Sequence, residues 1–286
     1  MPSLTRDGTT LPELLIALTL LAVIAATVVG VLRRTEDTYR AQTLAIDRAQ
    51  NLRVASAFLP AELRELDATD GDIEAMAPTA ITIRAPRQLA ILCQPPRSAG
   101  LPGMLALTVR DSPRYGMREF NPRTDSLWVL RAAAAADTSD AWALGSIAAV
   151  STDSCPGGQP GRRITVVQVR GFSSAPDAGI ASGAPVLGFE TLTYRLYRSS
   201  EDGRWYVGQQ VGADLQPVLG PVTREGLAFA YFDSTGAVTN QPNRVRLVEV
   251  RVRAPTMELV RSSAGRLGTP VDSVVLAVAL RNNRRN

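Results

Sequence analysis

Between Leu14 and Leu32 the chain runs for 19 residues without a charge, LLIALTLLAVIAATVVGVL. At about 1.5 Å per residue such a run makes a helix of roughly 28 Å, close to the hydrocarbon thickness of a bilayer. A cleaved secretory signal has a shorter apolar core, about 7 to 15 residues, and a small-x-small exit. Here the run ends in Leu32-Arg33-Arg34, and Glu36 and Asp37 return the chain to water. The pattern predicts a membrane-spanning helix that is kept. Glu13 stands where the apolar run starts. A charge carried to the bilayer centre costs about 2.5–3.5 kcal/mol, and less near the interface. Thr10-Leu11-Pro12-Glu13 fits a capping box, with Thr10 as N-cap and Glu13 folding back onto its N–H. Pro12 suits the first turn, where its missing N–H has no helical partner anyway.

A second account of Glu13 comes from the residues around it. MPSLTRDG precedes TTLPELLIAL, and this junction resembles the leader of type IV prepilins, in which Gly is followed by the first mature residue and, at the fifth, by Glu. Gly8, Thr9 and Glu13 match those three positions, with departures at Asp7, where the family carries Lys or Arg, and at Thr9, where it carries an apolar residue. The resemblance implies cleavage between Gly8 and Thr9 by an inner-membrane prepilin peptidase, N-methylation of Thr9, and a role for Glu13 in recruiting the subunit to a filament. It also implies a single-pass inner-membrane protein whose C-terminal domain lies outside the cytoplasm. Charge bias points the other way, because Arg33, Arg34 and Arg40 outweigh Arg6 and arginines favour the cytoplasmic side.

All 31 basic residues are arginine; Lys and His are absent. Without His there is no Ser-His-Asp or Cys-His pair and no imidazole metal ligand. Without Lys there is no Schiff-base chemistry and no phosphate-loop lysine. Two cysteines are too few for a thiolate zinc or iron–sulfur site. Neither an enzyme nor a cofactor or metal centre is expected. Net charge is +4, yet residues 244–286 hold nine Arg against Glu249, Glu258 and Asp272. No aromatic residue lies among them to stack on bases, so solvent-facing strand arginines are a better account than nucleic-acid binding.

After the apolar run the helix is expected to continue, with Ala45, Ala49, Leu52, Leu59, Leu63 and Leu66 on one face. Pro60 predicts a kink or break near Leu59. From about residue 80 short β-branched or alternating runs such as ITIRA, LAILC, RRITVVQV and RVRLVEVRVR indicate strands. Turns are expected at Ser200–Gly203 and Asp233–Gly236. Val245 and Leu247 are apolar at odd positions, Val248, Val250 and Val252 at even ones. Either a bulge near Leu247 turns both sets inward, or the odd pair sits on a partly covered outer face. The alanine run 132–136 and the Gly/Pro stretches at 156–161 and 175–185 suggest loops, within a region 95–185 that matches no family we can name. DATDGDIE, with Asp67, Asp70, Asp72 and Glu74, lacks the bidentate Glu of a calcium loop and is expected to be a solvated helix-to-sheet loop. Trp128, Trp142 and Trp205 are assigned to core or rim.

The C-terminal strands Phe229–Asp233, Val245-Arg246 and Leu280-Arg281-Asn282 resemble PilW-type minor pilins and the J-type minor pseudopilin of type II secretion. The expected fold is therefore α+β and pilin-like: a leader at 1–8, a transmembrane helix at 9–32, an amphipathic continuation at 33–68 and a β-rich extracytoplasmic domain at 69–286. The resemblance implies a minor pilin that primes or caps a type IV pilus, with other pilins, the peptidase and the bilayer as partners. The alternatives are a type II secretion minor pseudopilin and, more remotely, a DNA-uptake pilin. In an exported domain Cys93 and Cys155 are expected to pair; the alternative is two buried thiols.

Overall fold

The structure, a computed structural model, describes residues 10–113, 115–116, 118–132, 141–172, 179–261 and 266–281. It falls into two compact units, Met1–Gln50 with Pro255–Val271 and Asn51–Ala254 with Asp272–Asn286. One helix, α1 (Leu11–Arg64), is followed by β1 (Ile73–Ala77), β2 (Ala80–Ser98), β3 (Met104–Arg110), β4 (Tyr115–Gly116), β5 (Asp125–Arg131), β6 (Ala141–Ser154), β7 (Pro160–Arg170) and β8 (Pro185–Arg198). Then come β9 (Trp205–Val211), β10 (Asp214–Val222), β11 (Leu227–Phe232), a 3₁₀ turn (Pro242–Arg244), β12 (Leu247–Pro255), β13 (Val260–Arg261), β14 (Leu267–Gly268) and β15 (Val271–Ala279). The chain is α+β.

α1 runs unbroken through Pro60, so the break that the proline allowed for does not occur. Proline forfeits one helical bond and crowds the carbonyl four residues back. That loss is offset because Ala55, Leu59, Glu62 and Leu63, on both sides of it, are buried. The helix stops at Arg64 rather than 68: Leu66 N–H donates to the Leu63 carbonyl, and Arg281 N–H caps the Arg64 carbonyl at 2.9 Å. Its packed face holds Leu52, Ala55, Phe58, Leu59 and Leu63, whereas Ala49 is exposed.

The last turns of α1 share a core with two sheets. Leu59, Leu63 and Leu66 meet Ile81 and Ile83 of β2, Leu192 and Tyr194 of β8, and Val248 and Val250 of β12. β11, β12 and β15 form the smaller sheet in the order β11-β12-β15. The β11–β12 register is regular from Leu227↔Val252 to Phe232↔Leu247. No bulge turns the odd residues inward. Val245 is buried because it precedes the strand, as the cap of the 3₁₀ turn, and Leu247 is half-covered on the outer face.

The larger sheet closes on itself. β2 pairs β3, β3 pairs β7, β7 pairs β6, β6 pairs β5, β5 pairs β8, and β8 returns to β2. Much of the region 95–185 is therefore a six-stranded antiparallel barrel with its own core, including Leu92, Leu107, Leu127, Ile147, Ile164 and Val186. An eight-stranded ring is just wide enough for side chains to fill, so six strands leave less room. Gly188 answers that limit, since a Cβ there would overlap the buried Phe120 ring. β2 serves both cores by changing partners, from β8 along 80–91 to β3 along 92–98. Its prolines sit where the ladder shifts, Pro86 beside one irregularity and Pro95-Pro96 inside another. Of the expected loops, 156–159 is a turn in which Cys155 N–H donates to the Gln159 carbonyl. Residues 133–136 and 175–178 lie outside the described residues.

Candidate functional site

Every Leu, Ile and Val from Leu14 to Leu32 is exposed on α1, and the most apolar stretch has no buried residue. Soluble monomers rarely expose so large an apolar surface. The helix is long and apolar enough to cross a bilayer once. The Thr19 and Thr27 hydroxyls donate to the carbonyls of Ile16 (2.9 Å) and Ile24 (2.7 Å), so neither needs water. Glu13 lies exposed in the first turn, and Thr10 N–H donates to its Oε2 at 3.5 Å. One arm of the capping box is thus formed. Gly8 and Thr9 lie outside the described residues.

A second polar feature escaped the sequence. Glu62 on α1, Arg87 on β2, and Glu190 on β8 are all buried. Arg87 Nη1 donates to both Glu62 oxygens at 3.1 Å, and its Nε to Glu190 Oε2 at 3.2 Å. Arg118 continues the chain of charges, with Nη2 at 3.2 Å from Glu190 and a two-pronged pair of 2.6 Å bonds to Asp125 on β5. Asn121 N–H and the Thr124 hydroxyl complete the Asp125 shell. Tyr194 OH donates to Glu62 Oε2 at 3.0 Å. Burial, and then the Glu62 charge, push this phenol far above its ordinary value, so it stays a neutral donor. Burial works against the Arg87 cation, but Glu62 and Glu190 outweigh it and hold the pKa above the usual value. Arg87 and Glu190 stand on their strands between residues of the two cores, Ala85 and Leu92 on β2, Val186 and Leu192 on β8. The layer joins helix, sheet and barrel through charge. An alternating strand pattern carries no mark for it, because a buried Arg looks like any outward-facing one.

Cys93 and Cys155 form a disulfide with Cα atoms 5.6 Å apart. It ties β2 to the end of β6, where β3 and β7 also meet. The acidic loop differs from expectation: Asp67 and Asp72 are buried, not solvated. Asp67 Oδ1 accepts the Thr69 N–H at 2.8 Å, and Asp72 Oδ2 the Asp67 N–H at 2.9 Å. These carboxylates stand in for backbone acceptors in the turn after α1. Glu74 pairs with Arg84 at 2.7 Å. Among the described residues no group of three or more Cys, Asp or Glu is placed to hold a metal ion. Arg251 and Arg253 are exposed on β12, and Arg281 pairs with Glu65 at 3.0 Å. Trp128 is buried, stacked on Phe189 with Arg170 over its ring at 4.9 Å, while Trp142 and Trp205 are half-buried. No protein-family model matches the chain, and no curated protein or solved structure matches it.

Proposed function

We propose that the chain is a minor pilin, a non-enzymatic subunit that primes or caps a type IV pilus. The observation that carries this is the uncovered apolar helix with one carboxylate, Glu13, in its first turn and five residues after Gly8. A lipid-embedded carboxylate is costly unless a cation meets it. Cleavage after Gly8 would create that cation, the Thr9 amine, on this subunit or its neighbour. The capping bond takes one acceptor position of Glu13 and leaves others for that amine. The disulfide supports an extracytoplasmic β-rich domain, since such bonds persist in oxidising compartments. Together these favour an inner-membrane anchor with other pilins as partners. A type II secretion pseudopilin would use the same physics with a different set of partners.

Co-expression with a prepilin peptidase and either partner set tests the proposal. Intact mass is expected to show loss of residues 1–8 and methylation of Thr9, and Gly8→Trp should leave the precursor uncut. Glu13→Ala should be processed yet fall out of the co-purified assembly. Identical processing of the Gly8 variant, or normal incorporation of the Glu13 variant, would overturn it.

A further inference from the structure

The outer face of β8 and β9, away from the α1 core, carries a groove of mixed polar and apolar lining. Thr191, Thr193, Arg195 and Tyr197 follow each other along this face of β8, and the register sets Gln210 opposite Thr193, Gly208 opposite Arg195 and Tyr206 opposite Tyr197. Small residues keep the floor low: Ala80 of β2 lies opposite Arg195, and Gly212 closes one end. The result is an open groove of about 480 Å³ lined by Thr79, Thr191, Thr193, Arg195 and Gln210 together with Leu192 and Leu196. Its planar donors are held in place, with Arg195 Nη1 on Gln210 Oε1 at 3.0 Å and Gln210 Nε2 on the Gly212 carbonyl at 3.1 Å.

Two tyrosines follow on the same face of β8 and β9, beyond the groove's own lining. A Cβ on Gly208 would come within 2.7 Å of the Tyr197 ring and of Leu215, and one on Gly220 would overlap the ring of Tyr206. Each ring therefore lies down on a glycine, one face against backbone. The rings sit side by side, centroids 6.1 Å apart and planes 35° from each other. Tyr206 OH is anchored on Asp202 at 2.7 Å. Glycine in a strand interior loses packing and conformational entropy, and aromatic cover restores part of it. That accounts for one face of each ring, not for the row of donors beside them.

We propose that this surface binds a neutral oligosaccharide. A pyranose has an apolar C–H face that suits a flat aromatic ring, and a rim of hydroxyls that both donate and accept. This face of β8 and β9 offers the same division: two flat rings, then, in the groove beside them, threonine hydroxyls, a carboxamide and a guanidinium. It has no deep apolar pocket for a lipid or hydrophobic peptide. Arg195, Arg198 and Arg204 against Glu201 and Asp202 leave little net charge, which favours a neutral sugar over an acidic one. This inference is independent of the pilin proposal, so either can fail without the other.

The test uses the full chain in a zwitterionic, sugar-free detergent, titrated with cellohexaose, chitohexaose and maltohexaose by calorimetry and saturation-transfer NMR. Saturable binding of at least one is expected, and the preferred sugar separates hydroxyl-only from acetamido glycans. Tyr197→Ala should weaken it by about tenfold, the size of one aromatic contact, and Gln210→Ala by about the same factor through lost hydrogen bonds. Tyr197→Phe keeps the ring and should bind within about threefold of the parent on the same reasoning. Thermal unfolding of each variant separates lost binding from lost fold; if Tyr197→Ala unfolds, Gln210→Ala and Tyr197→Phe decide. No saturable binding to any of the three sugars, or binding unchanged by the folded groove variants, would overturn the proposal.

Discussion

Arg87 is the residue on which the charged layer turns. Among the described residues it alone pairs with both Glu62 and Glu190, and removing it leaves buried Glu62 with no cation, only the Tyr194 hydroxyl, and Glu190 with Arg118 alone. Breaking such a pair from one side costs about 3–5 kcal/mol, far more than a surface pair. Arg87→Ala is expected to lower stability by about that amount in a urea titration of the detergent-solubilised chain. A loss below about 1 kcal/mol would mean that water reaches the layer. Asp153 behaves differently. The Ser154 N–H, then Arg163 at 3.1 Å and the Thr108 hydroxyl at 2.9 Å, hold its carboxyl below the usual carboxylate range. Because the folded value lies under the unfolded one, its contribution is complete above the unfolded pKa and is lost as pH falls through the folded one. The stability gap between the parent and Asp153→Asn should stay constant from neutrality to about pH 5 and close below about pH 4. A gap that widens on acidification would contradict this.

Among the elements, β2 and the cystine decide most. A 19-residue strand bordered on both sides can belong to two cores, and its prolines mark where it bends from one to the other. The cystine closes a span of 62 residues that contains β3, β4, β5 and β6. Chain entropy assigns about 4 kcal/mol to a loop of that size. The double variant Cys93→Ala, Cys155→Ala should therefore unfold at a lower denaturant concentration by about that energy, with helical circular dichroism retained at the new midpoint's lower edge. An unchanged midpoint would show that the ladder from β2 to β3 restrains the barrel without it.

On the scale of the whole molecule, the parts divide by the surface they present. The helix from Leu14 to Leu32 is exposed throughout, and neither apolar core includes Glu13. Glu13→Ala should leave the unfolding free energy of the β-rich unit within about 0.5 kcal/mol of the parent, as for a surface change. A larger drop would tie the first turn of α1 to folding and remove assembly as the simplest account of Glu13. The β-rich unit, in turn, joins two apolar cores through one layer of charge. That layer favours one relative placement of helix, sheet and barrel, because any slip separates buried opposite charges.

The long apolar helix, its first-turn carboxylate, the turns at 200–203 and 233–236 and most strands were legible one-dimensionally. Each depends on residues within a few positions of one another: an uninterrupted apolar run, a Thr–Glu spacing, a glycine after acidic turn residues. Gly203 and Gly236 do adopt positive φ there, +69° and +81°. Other features depend on residues far apart in the chain. Pro60 stays inside α1 because strands 20 to 190 residues away cover the turns around it. Glu62 is buried because Arg87 and Tyr194 await it, and Asp67 and Asp72 because the backbone between them needs acceptors. The barrel closes only when β8 meets β2, a pairing between residues about a hundred apart that no local pattern encodes. Local propensity is written in neighbours; burial of charge and closure of a sheet belong to contacts that exist only once the chain has folded.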